Sequence, residues 1–140
     1  MVSNDNIIYL ELKRLSHKKD KNEKKLKKKG FKAEIYEEDA KFNHAYRVDL
    51  TKDDKSAEIL ENIDEHLLSI EFHPTRDLFL ARVTPTPHID DNYTRSQYKV
   101  FKTNGTETQA FKTEGKLGQA KWSPDGKYVA IIGAEDKNDP

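Results

Sequence analysis

Apolar and polar residues alternate in short runs along most of this chain, and the runs are separated by Gly, Pro, Asn and Asp rather than by long helical stretches. The runs at residues 6–12, 31–36, 42–50, 57–60, 69–72, 96–102, 107–113 and 117–122 have the length and period of half-buried strands. "KYVAIIG" (127–133) alternates and then rises into an apolar run, as a second strand does after a tight reversal. Two reversals carry strong hairpin chemistry: Asn104-Gly105 in "TNGT", and Asp125-Gly126 in "SPDGK", where Pro124 supplies the fixed φ of a turn position. The pattern predicts an all-β chain, with any helix confined to residues 18–29.

The strands recur with a period. "SIEFHPTRDLFLARV" (69–83) aligns with "QAKWSPDGKYVAIIG" (119–133), so that Phe72 matches Trp122, Pro74 matches Pro124 and Leu80 matches Ala130, each 50 residues apart. "HAYRVDLTKDDKSAEIL" (44–60) has the plan of "SQYKVFKTNGTETQAFK" (96–112), with Tyr46 and Val48 matching Tyr98 and Val100 at a shift of 52. A period near 50 with four strand signals per unit is the signature of β-propeller blades. A four-stranded blade cannot bury both faces alone and must stack on its neighbours. In that scheme the innermost strand ends in an aromatic, Phe72 or Trp122, that packs between blades, and Pro74 or Ser123, Pro124, Asp125 and Gly126 turn the chain. The expected fold is a partial β-propeller of about two and a half four-stranded antiparallel blades with a Lys-rich insertion. Residues 1–60 form a partial blade with the basic insertion at 13–29, residues 61–112 a complete blade, and residues 113–140 the first half of a following blade. Since propellers close with about four to eight blades, the chain reads as a piece of a larger propeller.

"LGQAKWSPDGKYVAIIG" (117–133) resembles the WSPDGK-type blade repeat of TolB-like propellers. The same repeat fills the N-terminal propeller of prolyl oligopeptidase-family serine peptidases, including dipeptidyl aminopeptidases and acylaminoacyl-peptidases. Two further stretches, "TPTPHIDDNY" (84–93) and "KKKGFKAEIYEEDAKFNHAYRVDL" (27–50), resemble the long loop between second and third strands and the entry to a third strand in the peptidase propellers. The resemblance implies a non-catalytic propeller that restricts access of peptides to an α/β-hydrolase domain absent from this chain. The alternative is a TolB-like propeller that docks a protein partner. Partners implied are the remaining blades, the hydrolase domain and peptide substrates, with self-association where blade faces are left bare. The earlier blade departs from the repeat: "HPTRD" puts His73, Thr75 and Arg76 where "SPDG" is expected, which predicts a looser turn.

Composition sharpens this picture. Of 140 residues, 34% are hydrophobic and 36% charged, a polar balance for a self-sufficient core. The net charge is zero but segregated: residues 13–29, "KRLSHKKDKNEKKLKKK", hold ten Lys or Arg against Asp20 and Glu23, so the remainder carries an excess of eight acids. The run has no aromatics to stack on bases and no sustained amphipathic face. It is read as a solvated insertion, not a nucleic-acid or membrane contact. No apolar stretch nears the roughly 18 residues of a membrane span, and "MVSNDNIIYLELKRL" (1–15) does not read as a signal peptide, which favours a cytoplasmic location.

Candidate chemistry is sparse. The absence of cysteine excludes a disulfide framework, thiol catalysis and Cys-ligated zinc. None of Ser3, Ser16, Ser56, Ser69, Ser96 and Ser123 stands in a Gly-x-Ser-x-Gly elbow, so no residue is assigned a catalytic role and the chain alone is not expected to be an enzyme. His88, Asp90 and Asp91 could ligate a divalent cation, but such loop clusters more often bond to turns. The acidic "YEED" (36–39) is read as a surface turn opposing the lysines. His17, His44 and His66 have no partner spacing, Gly105, Gly115, Gly118 and Gly126 are read as turn residues and not as a phosphate cradle, and no metal or cofactor is expected.

Overall fold

A computed structural model describes residues 8–15, 41–54, 56–136 and 138. The described residues are predominantly β and form three antiparallel sheets of three, four and two strands, none of which closes on itself. The first sheet has the order β1 (Ile8–Leu15), β2 (Phe42–Asp49), β3 (Ala57–Ile59). The second runs β4 (His66–Phe72), β5 (Leu78–Thr84), β6 (Gln97–Lys102), β7 (Glu107–Phe111), and the third is the hairpin β8 (Leu117–Trp122) and β9 (Val129–Gly133). A short helix, α1 (Ile89–Thr94), interrupts the connection between β5 and β6. The strand expected at 31–36, the acidic turn at 36–39 and any helix at 18–29 lie outside the described residues.

The internal period is present in the strand register. In the second sheet Leu67 faces Val83, Ile70 faces Ala81, Glu71 faces Leu80 and Phe72 faces Phe79. In the third sheet Leu117 faces Gly133, Ala120 faces Ile131, Lys121 faces Ala130 and Trp122 faces Val129. Every pair is displaced by 50 residues, and both ladders are irregular just after the first pair, between Leu67 and Ser69 and between Leu117 and Ala120. The outer strands repeat at 52. Tyr46 faces Ile59 and Val48 faces Ala57 in the first sheet, as Tyr98 faces Phe111 and Val100 faces Gln109 in the second. β1, β2 and β3 are thus the counterparts of β5, β6 and β7.

Two boundaries differ from the sequence pattern. The strand expected at 6–12 continues to Leu15, so Lys13 and Arg14 of the expected insertion pair with His44 and Asn43. The ladder to β2 carries the strand through basic residues that the hydropathy pattern assigns to a loop. The connection after β5 contains α1, whose residues IDDNYT have no buried side chain and so leave no apolar periodicity to read.

The core is two layers separated by the second sheet. Phe79, Ala81 and Val83 of β5 lie with Ala45, Leu60, Ile63, Leu67 and Phe101. The intervening Leu80 lies with Tyr98, Val100, Leu117 and Ala120, and Leu78, Trp122, Val129 and Ile131 pack around that group. Alternate residues of one strand therefore serve opposite layers, as the pleat requires. Phe79 and Phe101 stack at 5.4 Å in the first layer. Where β6 turns into β7, Gly105 adopts φ +88° and a Cβ there would stand 3.2 Å from Leu60 Cβ, so the Asn-Gly turn also packs on the first layer. Phe79→Ala should destabilise the chain by about 3–5 kcal/mol and Leu80→Ala by about 2–5 kcal/mol in chemical denaturation, while Gln109→Ala, exposed on β7, should stay within about 0.5 kcal/mol.

Candidate functional site

The repeat-motif residues meet at the turns that end the second and third sheets. Phe72 closes β4, is 38% exposed, and tilts over Phe79 at 6.5 Å. Trp122 closes β8, is half-buried on the second core layer, and meets the His73 ring edge-on at 4.5 Å. Its indole Nε1 is buried with no hydrogen-bond partner among the described residues. Of the two aromatics assigned to interblade packing, Trp122 lies between sheets, whereas Phe72 packs on Phe79 of its own sheet and stays partly exposed.

The two turns use one backbone frame and different side chains. His73 N–H donates to Leu78 O at 2.9 Å and Ser123 N–H to Tyr128 O at 2.8 Å, again 50 residues apart. In the second of these turns the Ser123 hydroxyl donates to Asp125 Oδ1 (2.6 Å) and accepts from Tyr128 N–H (3.0 Å), while Asp125 Oδ1 also accepts from Lys127 N–H (3.1 Å). The Ser123 hydroxyl, then the Lys127 amide, hold the Asp125 carboxyl below the usual carboxylate range. Pro74 is half-buried and Pro124 exposed at the matching positions. In the first turn an imidazole stands in the serine's place and satisfies different amides: His73 Nδ1 accepts from Thr75 N–H and Arg76 N–H, each at 3.0 Å, while Leu78 N–H, the counterpart of Tyr128 N–H, donates to Arg76 O. The missing "SPDG" is therefore compensated by the ring, a substitution legible in the alignment of His73 with Ser123.

The turns are also joined to each other. His73 Nε2 lies 2.9 Å from Gly126 O, and Gly126 has φ +70°. A Cβ on Gly126 would fall 2.2 Å from His73 Cε1. Glycine is needed there twice, for the left-handed backbone and for the approach of the ring. Glu71 Oε1 accepts from Trp122 N–H at 3.4 Å, and Tyr98 Oη donates to Gly118 O at 2.8 Å, so three side chains of the second sheet hold the third.

The opposite end of the second sheet is a polar rim. Arg82 donates from Nε and Nη2 to the Ser96 hydroxyl at 3.2 and 3.0 Å and from Nη2 to Asn92 O at 3.0 Å, which ties α1 to β5. Thr84 donates to Thr86 O, and the Thr86 hydroxyl donates to Asp91 Oδ2, both at 2.6 Å. The Thr86 hydroxyl, with weaker help from Arg95, keeps the Asp91 carboxyl below its ordinary value. Asp91 is thus engaged within its own loop, and Asp90 is exposed. Among the described residues no three His, Asp or Glu side chains are grouped to hold a metal ion. A depression of about 80 Å³ is lined by Glu65, Val83, Thr84, Pro85, Arg95 and Gln97. That volume is well below the roughly 300 Å³ at which small-molecule pockets begin. Behind it, Lys99 is hydrogen-bonded to Glu65 and, at 2.9 Å, to Glu107. Burial pulls the Lys99 ammonium down, but the hydrogen bonds and charges of the two carboxylates outweigh it and raise its pKa. Sequence reading missed this cluster because its members are distant along the chain.

Among the described serines, Ser96 Oγ accepts from Arg82, Ser123 Oγ is absorbed by its turn, and Ser56 and Ser69 are exposed. Comparison with protein-family models, curated proteins and solved structures finds no match to this chain.

Gly126→Ala should cost about 2–4 kcal/mol in a denaturant titration, combining a left-handed alanine with overpacking against the ring. The Lys99 cluster sets an alkaline limit. Its folded pKa is raised, so its stabilisation is complete below about pH 10.5 and is lost as pH rises through the higher folded value. The difference in stability between the native chain and Lys99→Met should shrink above that pH, measured by denaturation at stepped alkaline pH.

Proposed function

We propose that this chain contributes blades to a β-propeller, and that the propeller is the non-catalytic, access-restricting part of a serine peptidase similar to the prolyl oligopeptidase family. The observation that carries the propeller half of this reading is the register repeat: two successive hairpins share pairing, irregularity and closing backbone bond at a displacement of 50 residues, and their sheets pack face to face. A unit that repeats in register and buries apolar residues on both faces grows by adding like units. The peptidase half is supported by the resemblance of residues 27–50, 84–93 and 117–133 to propellers of that family.

On this reading the partners are further blades and an α/β-hydrolase domain. The hairpin that a further blade would meet exposes apolar side chains: Ile132 on β9 is 68% exposed and Tyr128 in the turn before it 72% exposed. The same residues favour self-association of the isolated chain, since a strand edge with exposed apolar side chains templates pairing.

The purified chain should resist labelling by a serine-directed fluorophosphonate and hydrolyse neither aminoacyl nor acylaminoacyl chromogenic substrates. The reading frame that encodes it should also carry further 50-residue blades and a Gly-x-Ser-x-Gly elbow. Stoichiometric labelling of the 140-residue chain would overturn the non-catalytic role. Further blades with an export signal and no serine elbow would favour the TolB-like binding propeller.

A further inference from the structure

His73 is 2% exposed, and both of its ring nitrogens are committed. Nδ1 faces two backbone donors, the N–H groups of Thr75 and Arg76, each at 3.0 Å. An acceptor of N–H groups carries a lone pair and no proton, so the single proton of the neutral ring sits on Nε2 and is donated to Gly126 O at 2.9 Å. The geometry admits one tautomer. A doubly protonated imidazole has no acceptor at all. A proton on Nδ1 would point at two N–H groups and remove the bonds that shape the 73–78 turn.

The charged groups around the junction do not offer that second proton a partner. On the hairpin of His73, the Glu71 carboxylate accepts from Trp122 N–H, and the Arg76 and Asp77 side chains are exposed. On the hairpin packed against it, Lys121 and Lys127 are exposed, and the Asp125 carboxylate is taken up by the Ser123 hydroxyl and the Lys127 amide. The hydrogen bonds of the ring go to none of these side chains. The ring is held instead by the edge of Trp122 and by the bare backbone of Gly126.

We propose that His73 is a proton-sensitive latch: its neutral Nε2–H form clamps the β8–β9 hairpin to the second sheet, and a second proton on the ring releases the hairpin. The released state accommodates the proton and the latched geometry does not, so acid favours release. A histidine in the released, solvated state changes charge between about pH 5 and 8, so lowering the pH through that range favours the open hairpin. Release uncovers the face of the second sheet that carries Leu80, Tyr98 and Val100. The latch rests on this junction alone and does not depend on the peptidase reading.

The test uses the whole chain. Amide protection factors at about pH 8 and about pH 5.5 should show Ser123, Gly126 and Tyr128 losing protection about tenfold or more, while β5 and β6 amides change by less than about threefold. His73→Asn keeps a side-chain acceptor over the turn but cannot titrate, and it should abolish the pH difference at those three amides. Ring ¹⁵N shifts of His73 in the native chain should report Nε2–H at the higher pH and a second protonation that coincides with loss of protection. That measurement stands even where the variant does not fold. Hairpin protection that is unchanged with pH, an equal loss in His73→Asn, or a ring protonated on Nδ1 at the higher pH would each overturn the latch.

Discussion

The architecture depends on one constraint, the need to cover both faces of β5. Its residues alternate between two layers: Phe79, Ala81 and Val83 on one side, and Leu78 and Leu80 on the other. A strand with one apolar face can rest on a single neighbour and leave the other face to water. This one cannot, so the first sheet covers one side and the β8–β9 hairpin the other. The 50-residue displacement between hairpins follows from the same requirement. A second hairpin that stacks on the first must present its apolar residues at matching depth, and a slip of one residue would turn every side chain to the wrong face. Register is therefore kept, including the irregularity after Leu67 and after Leu117.

Within that frame the turns solve one geometric problem with different chemistry. Both reverse the chain with the same backbone bond, from His73 to Leu78 and from Ser123 to Tyr128. The turn of the third sheet satisfies its inner amides with a hydroxyl and a carboxylate, both short, and leaves room at Gly126. The turn of the second sheet satisfies the Thr75 and Arg76 amides with an imidazole long enough to cross into that room and take the Gly126 carbonyl. The departure from the repeat and the glycine that conforms to it are two halves of one contact. A serine at 73 could close its own turn but could not reach the next one.

Strands, turns and period were legible because each is written locally. Alternation over five to eight residues, Asn104-Gly105 and Asp125-Gly126 need no knowledge of distant partners. What escaped was non-local or lacked an apolar signature. β1 runs on through Lys13 and Arg14 because β2 offers His44 and Asn43 opposite them, a ladder that outweighs their polarity. α1 is fixed by Thr86, Asp91 and the Arg82 guanidinium rather than by a buried stripe. Phe72 and Trp122 look alike in the alignment, yet only Trp122 has a ring from the neighbouring turn laid against it, so one stays partly exposed and the other is half-covered. The Lys99 cluster draws on residues 65, 99 and 107, and no local pattern brings those together.

The two ends of the second sheet consequently have different physical characters. At the turn end, the sheets are joined by the His73 ring to the Gly126 carbonyl and by the Glu71 carboxylate to the Trp122 amide. At the rim end, cationic side chains hold the loop: Arg82 on Asn92 O and the Ser96 hydroxyl, and Arg95 3.4 Å from Asp91 with its side chain 61% exposed. Exposed pairs of that kind add little to stability, and their energetic contribution is smaller than that of the packed layers behind them. Their effect is on side-chain placement. Arg82, Thr84 and Thr86 pin the α1 loop, and the loop sets the position from which Arg95 and Glu65 border the depression. A loop of this kind tolerates change in sequence without disturbing the stacked sheets, because none of the α1 side chains is buried.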